Sequence, residues 1–578
     1  MIHLLLQLWR KFEPKRRWQL ISIIFLMSFA SMLEVAAVGS IMPFLAALAD
    51  PELFLSQPLW KKIVTPLIGS EKQDVLFFTC LMFCLSIILL GLFRFLVLFN
   101  SQRVGQDLGS DLSTKIFNLT LSQPFLRHTQ LRNTDVLAGI TVKAHTLVSG
   151  AIMPVLNLFS ACLTLLMVVM FLVYVDPVIA VVSFLVITTA YLVTSALSSK
   201  KLISLGQISN EGTTRIIKIV QEGFGGIRDV ILYRHHNMFA HLYETADREL
   251  RRAFANIQII SGTPRYVIEV TALVAIAILA YSRVSQDTDF VAFIPTLGAL
   301  AIGGQRLLPM MQQVYASWSS ITSSTAALRD VVDFLNQTVP DYITQDMSKA
   351  LNFKKTITAN NLYFSYDDGS SKSKDVVSGI SFRLIKGSKV GIIGKTGSGK
   401  STVLDLIMGL LYPSMGNLRV DDVIIDRVTV GSWQRLIGHV PQRVFIKEGS
   451  IFDNVAFGFE SCAVDVAWAL RCVQICCLEQ DVDNWERGLD TIIAHGGANI
   501  SGGQAQRIGI ARALYRKPQV LILDEATNAL DPKTERQILS NIASLLPDIT
   551  LLTVTHRILD HTFFDEIFKF ENGKLNRL

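Results

Sequence analysis

One run of residues in this 578-residue chain has the types and spacing to hold phosphate. A hydrophobic stretch from Lys389 leads into Gly394, Lys395, Thr396, Gly397, Ser398, Gly399, Lys400, Ser401 and Thr402, and a helical pattern follows from Val403 to Leu411. Glycines at these positions let backbone N–H groups close around phosphate oxygens, and the start of the following helix adds partial positive charge. Lys400 is placed to reach the β- and γ-phosphates of a nucleotide, and Ser401 to hold Mg²⁺. Further along, Val520–Leu523 reads as a buried strand that delivers Asp524 and Glu525 at its end. Asp524 suits the Mg²⁺ shell, and Glu525 suits a base that orients or deprotonates attacking water.

Such a site needs a parallel sheet to carry the strand ends. From residue 353 onward, short β-branched strands alternate with helices, the pattern of an α/β domain. Residues 331–352 are polar and read as a linker, so the expected organisation is a membrane domain over 1–330, the linker, and a nucleotide-binding domain over 353–578.

The first part differs in kind. The whole chain is 50% hydrophobic and 18% charged, with mean hydropathy +0.40. Soluble domains average nearer a quarter charged, so disordered, collagenous and coiled-coil classes are excluded. A formal charge of +6 over this length does not point to nucleic acid. Six apolar stretches precede residue 330: Trp18–Ala49, Val75–Phe99, Leu147–Val175, Pro177–Ser199, Ile259–Ser282 and one starting at Phe290. Each is long enough to cross ~30 Å of hydrocarbon as a helix. Ile2–Phe12 reads as a short helix lying in the membrane interface. Lys and Arg number nineteen in the N-terminal segment and the long connections 100–146 and 200–258, against four in the alternate connections. By the positive-inside rule both termini and the long connections are cytoplasmic. Those connections lack Gly/Pro/Ser-rich runs, so the membrane helices are expected to continue beyond the bilayer and return. Cys472, Cys476 and Cys477 read as packing residues, since no further Cys or His completes a four-ligand metal set nearby.

At the phosphate loop and the Asp524–Glu525 strand the chain resembles the ATP-binding cassette (ABC) transporter superfamily, over essentially its whole length. Ile500-Ser501-Gly502-Gly503-Gln504 is similar to the family's signature, with Ile where Leu is usual. The resemblance implies that this turn contacts ATP held by a second cassette. It implies that Tyr366 stacks on adenine, that Gln442 senses Mg²⁺ and touches the membrane domain, and that Asn528-Ala529-Leu530-Asp531 links two ATP sites. It also implies that His556 contacts the γ-phosphate, and that Gln123–Arg132 and Gly223–Tyr233 are coupling helices. Thr491–Gly497 departs from the family's more acidic, Arg-containing stretch, which puts the usual coupling contacts there in doubt. The implied fold is an all-α six-helix transmembrane domain plus an α/β P-loop domain, an exporter half-transporter of the type IV kind. The implied assembly is a domain-swapped homodimer with ATP and Mg²⁺ between the cassettes.

Charges inside apolar stretches are costly and point to function. Arg94, Arg265 and Arg306 are substrate candidates and suit an anionic group such as a pyrophosphate. The alternative for each is snorkelling or an internal Arg–Glu pair, and Arg265 with Glu269 has the i,i+4 spacing for one. Pro264-Arg265-x-x-x-Glu269, Arg306-Leu-x-Pro309 and the Gly-Gly pair before the signature resemble the bacterial lipid-linked oligosaccharide flippases of protein glycosylation. That resemblance implies ATP-driven flipping of a polyprenyl-pyrophosphate glycan across the bacterial inner membrane, with membrane lipid as partner. A broad exporter of lipids, drugs or lipopolysaccharide precursors is the alternative on the same architecture. A channel-like ABC protein would lack the catalytic acid or the signature, and both are present.

Overall fold

The computed structural model describes residues 1–40, 72–130, 133–175, 177–284, 290–340, 351–366, 375–395, 397–459, 464–555 and 563–578, with Phe44 and Leu48. The chain divides into two compact units, Met1–Ser122 with Leu131–Thr338, and Gln123–Gln130 with Val339–Leu578.

The first unit is helical. Helix α1 (Ile2–Lys11) precedes α2 (Pro14–Gly39) and α3 (Lys72–Leu121). The short α4 (Phe125–Gln130) belongs to the second unit. There follow α5 (133–175), α6 (Pro177–Gly225), α7 (Ile227–Leu232), α8 (His236–Val284), α9 (Phe290–Ser323) and α10 (Thr325–Leu335). Among the described residues, Pro14–Ala37, Gln73–Leu121 and Thr134–Phe171 are long and apolar enough to cross a membrane. Helices α3, α6 and α8 run 50, 49 and 49 residues, well beyond the roughly 20 that a bilayer requires. Helix α5 contains two π-helical turns, Gly139–Lys143 and Val148–Ile152.

Buried polar contacts tie these helices together. Ser31 on α2 and Thr164 on α5 share a hydrogen bond of 2.8 Å. Lys143, almost fully buried on α5, pairs with Asp330 on α10, and the same carboxylate oxygen accepts from Asn210 on α6 at 2.8 Å. Gly206 on α6 lies so close to the end of α9 that a Cβ there would meet the Ser323 carbonyl oxygen at 1.9 Å, so only glycine fits. Two expectations change. Helix α10 extends into the stretch read as linker, because Leu328, Val331, Val332 and Leu335 form an apolar stripe on the first unit's core. Helix α1 is not a free interfacial helix: Leu8 is buried in that same core, and Lys11 Nζ donates to the Leu335 carbonyl of α10 at 3.1 Å.

The second unit is α/β. An antiparallel sheet, order β2-β1-β4-β5, uses β1 (Thr356–Phe364), β2 (Val377–Ile385), β4 (Met415–Val420) and β5 (Val423–Ile424). A second sheet, order β10-β9-β3-β8-β7-β6, uses β3 (Lys389–Gly394), β6 (Ile437–Val440), β7 (Val520–Asp524), β8 (Thr550–Val554), β9 (Glu566–Glu571) and β10 (Lys574–Arg577). All its pairings are parallel except the β9–β10 hairpin. The ends of β3 and β7 are thereby held one strand apart, with β8 between them. Helices α11 (Lys400–Ile407), α12 (Gly502–Tyr515) and α13 (Pro532–Leu545) belong to this unit.

The start of β1 is fixed by one carboxylate. Asp421 accepts from the amides of Lys354, Lys355 and Thr356 at 2.7, 2.7 and 2.8 Å. Partial desolvation pushes its pKa up, but those three amides outweigh it and the net direction is down. A carboxylate with a depressed folded-state pKa stabilises the fold above its unfolded value near 4, and that stabilisation is lost as pH falls through the folded value. Asp421→Asn, which tolerates the same left-handed backbone, should lower the apparent melting temperature by a few degrees at pH 7. The gap from wild type should close toward pH 3; a gap constant from pH 3 to 7 in thermal melts would contradict the assignment.

Candidate functional site

The phosphate loop begins where β3 leaves the sheet. Val390 and Ile392 anchor that strand in the core of the unit. Gly399, just before α11, has φ of +107°, a conformation that side-chain-bearing residues rarely adopt. The Lys400 side chain is only 5% exposed, and its ammonium donates to the carbonyls of Gly394 (2.8 Å) and Lys395 (2.9 Å). Burial lowers the Lys400 pKa, while Glu525 and Asp524 oppose that shift. Thr396 lies outside the described residues.

The end of β7 meets this loop. Ser401 Oγ donates to Asp524 Oδ2 at 3.0 Å. Burial raises the Asp524 pKa, with Ser401 and Lys400 working against it and Glu525 adding to it. Glu525 adopts φ of +51°, left-handed for a non-glycine residue, and this turn carries its carboxylate toward two elements at once. Gln442 Nε2 donates to Glu525 Oε2 at 2.8 Å, Asn528 Nδ2 donates to the same oxygen at 3.2 Å, and Lys400 Nζ lies 4.0 Å from Oε1. Lys400, Ser401, Asp524, Glu525 and Gln442 therefore converge. Tyr366 joins them from the far end of β1: its hydroxyl is 3.3 Å from Thr402 Oγ1 and its ring meets Phe364 edge-on at 5.0 Å. Its exposed face leaves room for a planar ligand to stack. His556 lies outside the described residues.

The signature segment stands apart from this cluster. Ser501 caps α12 through a capping box, its Oγ accepting from Gln504 N while Gln504 Oε1 accepts from Ser501 N. Gly502 and Gly503 form the first turn of that helix. Among the described residues, no hydrogen bond or ion pair joins Ser501–Gln504 to the loop 394–402. A link runs instead through Gln506, a nearly buried residue whose Oε1 accepts from Ala529 N at 2.9 Å. That bond fastens the signature helix to the loop Asn528–Asp531. Asp481 secures the other flank, accepting from Gln504 Nε2 and pairing with Arg507, both at 2.7 Å. Arg512 holds the segment after Gln442, donating to the carbonyls of Phe445 and Asn454 and to Asn454 Oδ1. The sequence reading missed Gln506, Asp481 and Arg512. The available signal was a long polar side chain on the buried face of an amphipathic helix, where partners are obligatory.

Within the first unit, Arg94 pairs with Glu34 of α2, whose side chain is only 5% exposed. Arg265 sits 4.0 Å from Glu269, and both side chains are about half exposed (54% and 48%). The Arg306 side chain lies outside the described residues. Near Arg265 runs a polar–aromatic seam. Tyr191 Oη donates to Gln312 Oε1 at 3.2 Å, Gln312 Nε2 donates to the Ser261 carbonyl at 2.9 Å, and the rings of Tyr191, Tyr315 and Trp318 follow one another at 5.6 Å. Helix α7 presents Ile227, Ile231, Leu232 and the following Tyr233 to solvent. Helix α4, the other coupling-helix candidate, packs Leu126 against the second unit's core.

Residues 377–528 match the family described as ABC transporter, and residues 20–290 the family described as ABC transporter transmembrane region. The ATP-dependent lipid A-core flippase of Albidiferax ferrireducens is 25% identical over 82% of this chain and 80% of its own. The ATP-dependent lipid A-core flippase 1 of Colwellia psychrerythraea is 24% identical over 95% and 92%. A multidrug resistance ABC transporter ATP-binding and permease protein of Lactococcus lactis is 30% identical over 46% and 44%. A bacterial Atm1-family ABC exporter, solved with ATP bound, superposes with a TM-score of 0.78 at 20% identity, covering 97% of this chain and 94% of that one. At that identity the likeness concerns the fold.

Lys400→Met removes the buried ammonium of the phosphate loop. The variant should show no stabilisation by ATP in thermal melts and no ATP turnover. Wild-type stabilisation by ATP in the variant would remove Lys400 from the phosphate site.

Proposed function

We infer that this chain, which belongs to the ABC transporter family as an exporter with transmembrane and nucleotide-binding domains, flips an anionic lipid-linked substrate. ATP hydrolysis by the cassette is coupled to that transport. The observation that carries the reading is the convergence of Lys400, Ser401, Asp524, Glu525 and Gln442 on one chain with membrane-crossing helices.

In this reading Tyr366 stacks on adenine and the backbone of Gly394–Thr402 closes on the phosphates. Lys400 exchanges its two carbonyl partners for β/γ-phosphate oxygens. Ser401 and Asp524, whose oxygens already meet at 3.0 Å, would hold Mg²⁺, which supplies neutralisation of phosphate charge. The donor set is hard oxygen, as Mg²⁺ prefers. Gln442 and Glu525 orient a water: its oxygen bonds to the γ-phosphorus, the bond to the β–γ bridging oxygen breaks, and Glu525 takes the proton. His556 would contact the γ-phosphate. Ser501–Gln504 would serve the nucleotide of a second copy, so the active form is a homodimer with two shared sites. The exposed α7 residues Ile231, Leu232 and Tyr233 form an apolar patch suited to docking.

The substrate proposed is a polyprenyl-pyrophosphate oligosaccharide, carried across the bacterial inner membrane with both termini cytoplasmic. It is supported by Arg265 and Arg306 and by the half-exposed setting of Arg265 beside the Tyr191–Gln312 seam. Arg94 is a weaker candidate, because Glu34 already engages it. A second reading, a flippase of lipid A-core type, is favoured by the near full-length match to relatives of that name.

Glu525→Gln should cut ATP turnover by two orders of magnitude or more and retain ATP in a closed dimer; unchanged turnover would sink the base assignment. Vesicles carrying a fluorescent polyprenyl-pyrophosphate oligosaccharide would test the substrate. ATP-dependent loss of access to an external glycan-cleaving reagent, in wild type and not in Glu525→Gln, is the expected result. Protection of a lipid A-core substrate alone would favour the second reading. Arg306→Glu should abolish flipping while basal ATPase activity persists, and full transport by it would take Arg306 off the substrate path.

A further inference from the structure

The elbow between α1 and α2 carries five cations, Arg10, Lys11, Lys15, Arg16 and Arg17, against the single acid Glu13. The structure engages only some of them. Arg16 bridges Asp107 and Asp111 of α3 at 2.8 and 2.7 Å, and Lys11 is spent on the Leu335 carbonyl. Arg10 and Lys15 are exposed, with no side-chain hydrogen bond or ion pair among the described residues. Arg17 gives one bond of 2.7 Å to the Arg10 carbonyl, and its Nε is buried without a partner among the described residues. With one N–H of Arg17 given to a carbonyl, the rest of its guanidinium and the exposed Arg10 and Lys15 make a cationic patch suited to an anion.

What surrounds it indicates the anion's source. Trp18, Phe25, Phe29 and Met32 form an exposed apolar stripe down α2, with Lys15 one turn before Trp18 on the same face. On α1, Ile2 and Leu6 are exposed and lead at i,i+4 spacing to Arg10. Two apolar tracks therefore run into one cationic patch at the end of a membrane-crossing helix, with an indole where interfacial tryptophans sit. A free phosphate would use the cations and leave the tracks bare. A lipid fills both.

We propose that the α1–α2 elbow binds an anionic glycerophospholipid, its phosphate on Arg17, Arg10 and Lys15 and its acyl chain along Trp18, Phe25 and Phe29. Occupancy braces α1 against α10, through the Lys11–Leu335 contact, in the last helix before the cassette strands. The lipid environment thus tunes the ATPase, independently of which substrate is flipped.

The test uses the full-length protein in nanodiscs of phosphatidylcholine with graded phosphatidylglycerol, reading lipid retention by native mass spectrometry and ATPase rate. Wild type should retain phosphatidylglycerol, and its ATPase should rise with it. Lys15→Gln, at an exposed position, should weaken retention about fivefold, as expected for one surface charge near an anionic membrane. The Arg10→Gln, Lys15→Gln, Arg17→Gln combination should abolish both effects while keeping the rate in pure phosphatidylcholine. Arg251→Gln with Arg252→Gln, which lowers charge elsewhere, should change neither. Equal retention by wild type and the elbow variants would overturn the proposal. So would equal loss in the Arg251/Arg252 control, or displacement of the lipid by millimolar inorganic phosphate.

Discussion

The ammonium of Lys400 lies almost wholly out of water, and the carbonyls of Gly394 and Lys395 hold it there. A cation in that position is tolerable only because acids stand close by, and the sheet supplies them. Parallel pairing of β3, β8 and β7 sets the Lys400 loop one strand away from Asp524 and Glu525. A shift of one strand in that order would part the cation from its acids. The rest of the second unit follows from keeping this arrangement intact. Gln442 comes in on the edge strand β6, Arg512 fastens the segment beyond it, and Gln506 fastens the signature helix to the loop after Glu525. Glu525 is the meeting point, and its left-handed backbone is the local cost of facing Gln442, Asn528 and Lys400 together.

The first unit is held by the same logic in an apolar setting. A buried carboxylate such as Glu34 requires a counter-ion, and Arg94 supplies it from the neighbouring helix. Lys143 and Asp330 repeat the arrangement where α5, α6 and α10 meet, with Asn210 as the third member. These contacts specify register between long helices whose apolar faces would otherwise slide, since one leucine surface resembles another. The fit of Gly206 on Ser323 adds a steric stop at the break between α9 and α10.

What was legible in the sequence was contiguous. Gly394–Thr402, the Asp524–Glu525 pair and Ser501–Gln504 each lie within one strand-to-helix or turn-to-helix junction, where spacing alone carries the chemistry. Long-range pairings were not legible: nothing near Arg94 names Glu34, and nothing near Gln506 names Ala529. The stretch after Asp330 looked polar because averaging hides a stripe; only the phase of Leu328, Val331, Val332 and Leu335 reveals the helix. Helix α1 was read from its apolar side without the information that α10 would cover half of it.

The π-helical turns of α5 have a consequence for how that helix is read. Each inserts one residue beyond the regular count, which rotates everything after it by about 100° relative to an unbroken helix. With both present, Leu147, Val148, Met153 and Leu156 still line one core shared with α10, and the stretch from Met153 also packs on α2 and α9. The helix acts as two rods coupled by a fixed angular offset, like a keyed shaft. A one-residue deletion inside a π turn would let that turn close to regular α-helix and leave the membrane half of α5 facing as before, whereas the same deletion in regular helix would turn that half by about 100° while barely changing its length.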